Sequence, residues 1–257
     1  LTLFALKPAP VTATWLGYVG TIGFAAMDNI ICDQWVLPPA EERFYLEKPA
    51  RLPHCYLHFT RPEEGPPILS MPAEKNGFVT FGSFNRLAKA GPQVLAAWAE
   101  ILSRSPGSRL FLNTPRLADP GLQAGIAARF EKAGVERERL RFGSGGPRAG
   151  LLAAYRQVDL CLDPFPYGGG VTSLEALWMG APVLTISGDR WVAHASESIL
   201  HTVGLPRLVA RNLREYRELA VLLGNDPAAL KQLRRGLRER LAGSPICDTA
   251  GFTRDVE

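Results

Sequence analysis

Cysteine is scarce in this chain of 257 residues: Cys32, Cys55, Cys161 and Cys247 stand far apart and form no C-x-x-C pair. That spacing gives neither a zinc ribbon nor a disulfide framework, and it reads as a reducing, cytoplasmic compartment with no metal site. Histidine is equally sparse. His54 and His58 lie four apart in the apolar stretch 51–59, which reads as a packed strand or turn, and His194 and His201 add no convincing metal pair. No apolar run approaches the roughly 18 residues that a membrane span needs, so no membrane partner is expected. The start of the chain lacks the basic segment and small-residue cleavage site of a signal peptide. It begins on Leu1 instead of Met, which reads as a fragment of something longer. A large excess of one charge is missing too. The net charge is +4 and scattered, and its densest basic stretch, 234–240, has the spacing of a solvated helix face, so nucleic acid is not an expected partner. The chain also contains no G-x-S-x-G, which leaves a serine hydrolase without support.

What the chain does contain is concentrated in residues 160–184. A short apolar strand, 160–162, leads through Asp163-Pro-Phe-Pro-Tyr to three consecutive glycines, Gly168, Gly169 and Gly170. Val171 follows, a helix opens near Thr172 and Ser173, and a second apolar strand occupies 183–186. Glycines ahead of a helix let the backbone approach a ligand, and the free amides of the first helical turn favour an anion, typically phosphate. Neither G-x-G-x-x-G nor a lysine after the glycines is present, so this is not a dinucleotide fingerprint or a P-loop. The pattern points to a nucleotide or a nucleotide sugar. Bulk at Gly169 is expected to block such a cradle while sparing the fold.

Two zones flank a stretch rich in proline and charge, 61–76, which reads as a linker. The first zone is short, with strand-like pieces at 12–16 and 35–37 around a glycine-rich segment, and is too small to hold a full core alone. In the second, strand candidates at 78–84, 110–112, 140–142, 160–162, 183–186 and 208–209 alternate with amphipathic helices. Val94, Leu95, Trp98, Ile101 and Leu102 recur at helical spacing after Pro92. Two short helices, 213–223 and 227–241, close the chain. Alternation of this kind implies an α/β fold with a parallel sheet covered on both faces, whose ligands bind beyond the carboxyl ends of the strands.

Three groups sit at that edge. Thr172-Ser-Leu-Glu175 matches a capping box, in which Glu175 would reach back to the helix start; alternatively Glu175 projects toward ribose hydroxyls. Phe84-Asn85-Arg86-Leu-Ala-Lys89 follows the first strand of the second zone. If that turn is helical, Arg86 and Lys89 face one way, and an ammonium there would neutralise a departing diphosphate. Arg148 opens the helix before strand 160–162. By spacing alone, a solvated surface is the better reading of each of these three cations.

Taken together, these blocks resemble the O-linked N-acetylglucosamine transferases, including the bacterial tetratricopeptide-linked and SPINDLY-like members. The likeness runs nearly end to end. It comprises Phe4-Ala-Leu-Lys-Pro-Ala-Pro10, Trp15-Leu-Gly-Tyr-Val-Gly-Thr-Ile-Gly23, Met27-Asp28 with Asp33-Gln34, Arg51-Leu-Pro-His54, the Phe84–Lys89 turn, the 162–180 block and Ser244-Pro245. The resemblance implies a GT-B fold of two Rossmann-like lobes with the nucleotide sugar between them. Residues 1–60 would be the tail of the acceptor-side lobe, 61–76 a linker, and 77–257 the donor-binding lobe. A helical-repeat domain that recruits protein acceptors, and the proposed general-base histidine, would lie upstream.

By the same resemblance, Lys89 corresponds to the family lysine that contacts the diphosphate and supports the leaving group. Asn85 and Arg86 flank it, Arg86 standing where animal enzymes carry Gln. Thr172 matches the second threonine of their His-Thr-Thr, Gly170 and Val171 replace its first two residues, and Glu175 matches their ribose-binding Asp. Gly146 and Arg148 align with the uracil-side loop, while the family His and Arg of the following helix become Leu151 and Ala154. The implied activity is inverting, metal-independent transfer of GlcNAc from a UDP-sugar to a protein Ser or Thr hydroxyl, with no cofactor. The alternatives are a non-catalytic nucleotide-sugar-binding or scaffold module, and a sugar-nucleotide epimerase of the same fold, which would turn over UDP-GlcNAc without an acceptor.

Overall fold

The computed structural model describes residues 2–62 and 65–257, which form two parallel sheets. The smaller sheet joins β1 (Ala13–Thr14), β2 (Asn29–Cys32) and β3 (Lys48–Arg51) in that order. The larger comprises β4 (Thr80–Ser83), β5 (Arg109–Asn113), β6 (Leu140–Gly143), β7 (Leu160–Leu162), β8 (Val183–Ile186) and β9 (Val209–Ala210). Its order is β6-β5-β4-β7-β8-β9. The six sequence candidates are all present, 160–162 and 183–186 with the expected ends and the other four with shifted ones. Beginning at β4, the chain fills one half of the sheet outward, then returns beside β4 and fills the other half. That reversal opens a crevice between the carboxyl ends of β4 and β7, where sheets of this order take ligands.

Helices α1 (Thr2–Ala5), α2 (Pro72–Asn76), α3 (Pro92–Arg104), α4 (Pro120–Lys132), α5 (Arg148–Ala154), α6 (Val171–Trp178), α7 (Trp191–Thr202), α8 (Leu213–Asn225), α9 (Pro227–Arg234), α10 (Leu237–Ala242) and α11 (Thr249–Val256) complete the chain. The central strands are buried along their whole length, Thr80–Ser83 and Leu160–Leu162 alike, as parallel strands covered on both faces must be. On α3 the periodic residues Val94, Leu95, Trp98, Ile101 and Leu102 all face inward. Trp98 donates its indole N–H to Tyr216 Oη of α8 at 3.0 Å, and Tyr216 donates onward to the carbonyl of Asp163 at 2.9 Å. A polar thread therefore runs from a core helix to the end of β7.

Several expectations change. Residues 35–37 are a turn, not a strand. Asp33, just after β2, accepts from the amides of Trp35 and Val36, each at 2.8 Å, and those bonds replace a ladder. The strands that do form there, β2 and β3, escaped the reading. The helix expected over 227–241 breaks at Arg235 and Gly236, where φ is +70°, a backbone that glycine adopts freely. The closing helix α11 was not anticipated. Nor is the 234–240 basic stretch a solvated face throughout. Arg234 donates to the carbonyls of Val158 and Asp159, and Arg238 to those of Trp178 and Pro66, leaving Arg235 and Arg240 exposed. The described part of 61–76 is fastened by the same means: Arg156 donates to Pro67 O at 3.0 Å and Arg61 to Ala242 O at 2.6 Å.

The smaller sheet shares one continuous core with the larger, consistent with its inability to build its own. Polar contacts fix the junction. The Asp33 carboxylate also accepts from the Tyr56 amide at 2.7 Å and from Ser198 Oγ of α7 at 2.6 Å. His194 of α7 bridges Glu197 (2.7 Å) and Glu41 (2.9 Å), and His201 stacks on Trp35 with centroids 3.6 Å apart. Burial pushes the His194 imidazole down, but the two carboxylates outweigh it and hold its pKa above the usual histidine value. A raised folded-state pKa stabilises the fold at pH below the unfolded value and loses that contribution as pH climbs through the folded one. The melting temperature is therefore expected to fall as pH rises from the ordinary histidine value of about 6.5 through the raised folded-state one. His194→Gln should flatten that slope; an unchanged slope in the variant would assign it to other groups.

Candidate functional site

Pairing of β4 with β7, Phe81 opposite Leu160 and Gly82 opposite Cys161, sets the two loops that follow them side by side at the crevice. After β4 the chain turns through Asn85 and Arg86 into a 3-10 turn, Leu87–Lys89. After β7 it runs through Asp163 and the glycines into α6. The two loops line a cleft of about 990 Å³, bordered by Asn85, Arg86, Lys89, Tyr167, Gly170 and Thr172 among others. Arg86 and Lys89 do share this cleft, through a 3-10 turn in place of an α-helical one.

Lys89 is held from several sides. Its Nζ donates to the carbonyl of Gly168 at 2.6 Å and to Asn85 Oδ1 at 3.4 Å, and lies 3.9 Å from the centroid of the Tyr167 ring. Burial depresses its pKa, with Arg86 adding to that effect and the Asp163 carboxylate opposing it. No carboxylate forms a salt bridge with it among the described residues. The ammonium is thus positioned by neutral acceptors and retains capacity for an anion.

Asp163 organises the floor. Its carboxylate, buried with a raised pKa owing to desolvation, accepts from the Gly169 amide (2.8 Å), Thr185 Oγ1 (3.0 Å) and Asn85 Nδ2 (3.2 Å). Asn85 is thereby oriented with its amide oxygen toward Lys89 and Thr172, whose Oγ1 donates to it at 3.3 Å. The apolar strand ending in an acid just before the glycine run carried a signal for this residue that the sequence reading passed over. Tyr167, on the same loop, also went unremarked, as did Tyr155, whose hydroxyl donates to the Thr172 carbonyl at 3.1 Å.

The start of α6 differs from the expected capping box. Gly170 is the N-cap and carries no side-chain cap, so Thr172 lies inside the first turn with its hydroxyl turned to Asn85. Glu175 does not reach back; among the described residues no side chain or amide hydrogen-bonds its carboxylate. Burial raises its pKa, and Arg148 nearby draws it down again. The amides of Gly170, Val171 and Thr172 have no acceptor among the described residues, whereas those of Ser173 and Leu174 bond to the Gly170 carbonyl. Three adjacent N–H groups at a helix start, beside a lysine and without an acceptor among the described residues, are arranged as donors of the kind that suits an anion.

The other sequence candidates fall into place around this cleft. Gly168, Gly169 and Ser173 are buried, with Ser173 Oγ 2.8 Å from Ser196 Oγ of α7. A Cβ on Gly169 would lie 2.2 Å from Ser173 Oγ and 2.7 Å from Asp163 Oδ1. Bulk there would thus disturb the Asp163 network as well as any ligand, contrary to the expectation that the fold would be spared. At Gly170 an added Cβ meets nothing within 4 Å. Val171 stands exposed at the mouth. Gly146 (φ +139°), on the loop after β6, and Arg148, which opens α5, are exposed and outside the lining of this cleft; the Gly145 amide bonds Asn113 Oδ1 at 2.8 Å and anchors that loop. His54 and His58 belong to no cluster suited to a metal among the described residues. All four cysteines are buried and free. No helix of the described residues is long and apolar enough to cross a membrane.

Comparison with known proteins shows the family and the fold. The chain is 41% identical, over its whole length, to a Petunia hybrida protein named as a probable UDP-N-acetylglucosamine–peptide N-acetylglucosaminyltransferase SPINDLY, and 39% identical to its Arabidopsis thaliana counterpart. It spans 28% of the length of each. Among solved structures, a mutant O-GlcNAc transferase of Thermobaculum terrenum is 40% identical and superposes with a TM-score of 0.91, covering 98% of this chain and 48% of that one. Sucrose-phosphate synthase of Thermosynechococcus elongatus, at 14% identity and a TM-score of 0.59, shares the fold alone. The fold is that of GT-B glycosyltransferases. Residues 2–60 and 71–256 match the family described as glycosyl transferase family 41, and the chain belongs to that family.

Proposed function

We propose that this chain forms the donor-binding lobe, and the tail of the acceptor-side lobe, of an enzyme that transfers GlcNAc from a UDP-sugar to a Ser or Thr hydroxyl of a protein. The observation that carries the reading is the conjunction at the crevice of Lys89, held by a backbone carbonyl and an amide oxygen, with three unpartnered amides at the start of α6. Residues 1–60 serve as the acceptor-side tail, 61–76 as the connection and 77–257 as the donor lobe. A repeat domain outside this chain recruits the acceptor, and four buried free thiols suit a cytoplasmic setting.

In the reaction the acceptor oxygen attacks the anomeric carbon from the face opposite the diphosphate and gives up its proton to a base outside this chain, as the bond from that carbon to the diphosphate oxygen breaks. The electron pair leaves with UDP, and attack from the opposite face inverts the configuration. Negative charge then grows on the β-phosphate, and the Lys89 ammonium and the α6 amides are fixed donors already facing it, with Arg86 at the rim. Fixed donors in a partly desolvated site stabilise developing charge more than water does. Glu175 takes the ribose hydroxyls, since its carboxylate has no protein donor to satisfy it, and Gly146 and Arg148 border the base. No resident metal or cofactor is required by this arrangement, because two cations and a helix start supply the counter-charge.

Three measurements test the reading. Lys89→Ala is expected to weaken UDP binding by about 30- to 150-fold, equivalent to about 2–3 kcal/mol for one charged hydrogen bond; calorimetric titration with unchanged affinity would remove Lys89 from the site. Because binding a diphosphate favours the protonated amine, wild-type affinity should decline as pH rises through the depressed Lys89 pKa, below the ordinary lysine value of about 10.4. Lys89→Arg should move that decline to higher pH. Asp163→Asn keeps the shape but confronts the Asn85 amide nitrogen with another donor, which flips Asn85 away from Lys89. A loss of about tenfold in UDP affinity, or about 1.4 kcal/mol, with the fold retained by circular dichroism is expected; equal affinity would refute the orienting role.

A further inference from the structure

A second cavity of about 560 Å³ lies against the larger sheet at the end remote from the donor cleft. Thr80 and Arg109, which begin β4 and β5, line it, whereas the cleft is built beyond the carboxyl ends of the strands. Four cations face it from four separate elements: Lys75 of α2, Arg109 of β5, Arg141 of β6 and Arg156 of the 3-10 turn that follows α5. Among the described residues, Glu138 is the one acidic residue in its lining.

None of the four cations forms a salt bridge among the described residues. Arg156 spends only its Nε, on Pro67 O at 3.0 Å. The guanidinium of Arg109 lies over the Phe78 ring at 4.1 Å and that of Arg141 over Phe111 at 5.1 Å. Stacking engages the face of a guanidinium and leaves its N–H edges free. Parallel pairing of Phe111 with Arg141 places Arg109 and Arg141 on one face of adjacent strands, two positions out of register. Both side chains therefore leave the same face of neighbouring strands, and with Lys75 and Arg156 they present four positive charges, which match a ligand carrying several negative ones.

Protection of a sheet edge does not explain the arrangement. Edge strands often carry cations that discourage pairing, and β6 is an edge, but Arg109 is on β5, between β4 and β6. Four like charges around one concavity, with a single acid among its described lining residues, favour an anion there. The volume is within the range of small-molecule sites. We infer that this cavity binds a polyphosphate ligand, whose phosphates bridge Arg109, Arg141, Arg156 and Lys75 against a floor of Phe78 and Phe111. The site is independent of the donor cleft and of the transferase reading.

The probe is inorganic tripolyphosphate, titrated calorimetrically into the 257-residue chain. To keep the two sites apart, titrations are run on the wild type, on Lys89→Ala, and on the charge-neutralising pair Arg141→Gln and Arg156→Gln, made singly and together. Lys75→Gln, at an exposed helix position, serves as a third variant that cannot compromise the sheet. Binding preserved in Lys89→Ala, and weakened at least about tenfold by the double substitution in protein that melts like the wild type, is the expected result; by the affinity scale that is about 1.4 kcal/mol. A nucleoside triphosphate binding more tightly than tripolyphosphate would show that the phenyl floor takes a base, and equal affinity that phosphate alone is read; either supports the site. The inference is overturned if tripolyphosphate fails to bind, or if its binding disappears with Lys89→Ala and survives loss of the arginines. Binding of an acidic peptide without binding of tripolyphosphate would also overturn it.

Discussion

The buried carboxylate of Asp163 is the constraint from which the rest of the cleft follows. A carboxylate removed from water is tolerated when donors surround it, and this one gathers an amide from the glycine loop, a hydroxyl from β8 and an amide nitrogen from the loop after β4. One charged group thus locks two loops from different halves of the sheet into a single geometry. Its own carbonyl is held by Tyr216, and Tyr216 by Trp98, so the lock is itself braced by the core. Asn85, Lys89 and Thr172 inherit their positions from it.

A parallel arrangement joins the two sheets. Asp33 does for the end of β2 what Asp163 does for the end of β7: it collects amides from a turn and a hydroxyl from α7. In both places an acid at a strand's carboxyl end replaces the ladder that stops there with side-chain acceptance. Helix α7 carries Ser198, His194 and His201 to the smaller sheet, so the relative placement of the two sheets depends on one helix as much as on their shared core.

Much of this was legible in the sequence because it rests on local rules. Alternating apolar strands and amphipathic helices disclosed the parallel sheet, and the glycine run disclosed the loop and helix start that border the cleft. Lys89 and Arg86 were readable as a pair from their position after β4. What escaped depends on distant partners. Nothing near Arg234 reveals that its guanidinium will be taken up by carbonyls some 75 residues away, so it looked like solvated surface. The capping box at Thr172 failed because the helix starts one residue earlier, at Val171, and Thr172 prefers the Asn85 oxygen, supplied by another strand. The 35–37 segment, apolar enough for a strand, is overruled by the Asp33 side chain.

The depressed pKa of Lys89 has a consequence for the protein's own durability. An amine that ionises less readily in the folded state than in the unfolded chain subtracts from folding free energy wherever it is charged in both. The cleft therefore stores instability in exchange for a cation already stripped of much of its water and aimed by neutral oxygens. Selection for thermal robustness alone would replace such a lysine with an apolar side chain. Its presence among otherwise well-matched neighbours marks the cleft as a place where this fold gives up some stability to keep a partly buried cation.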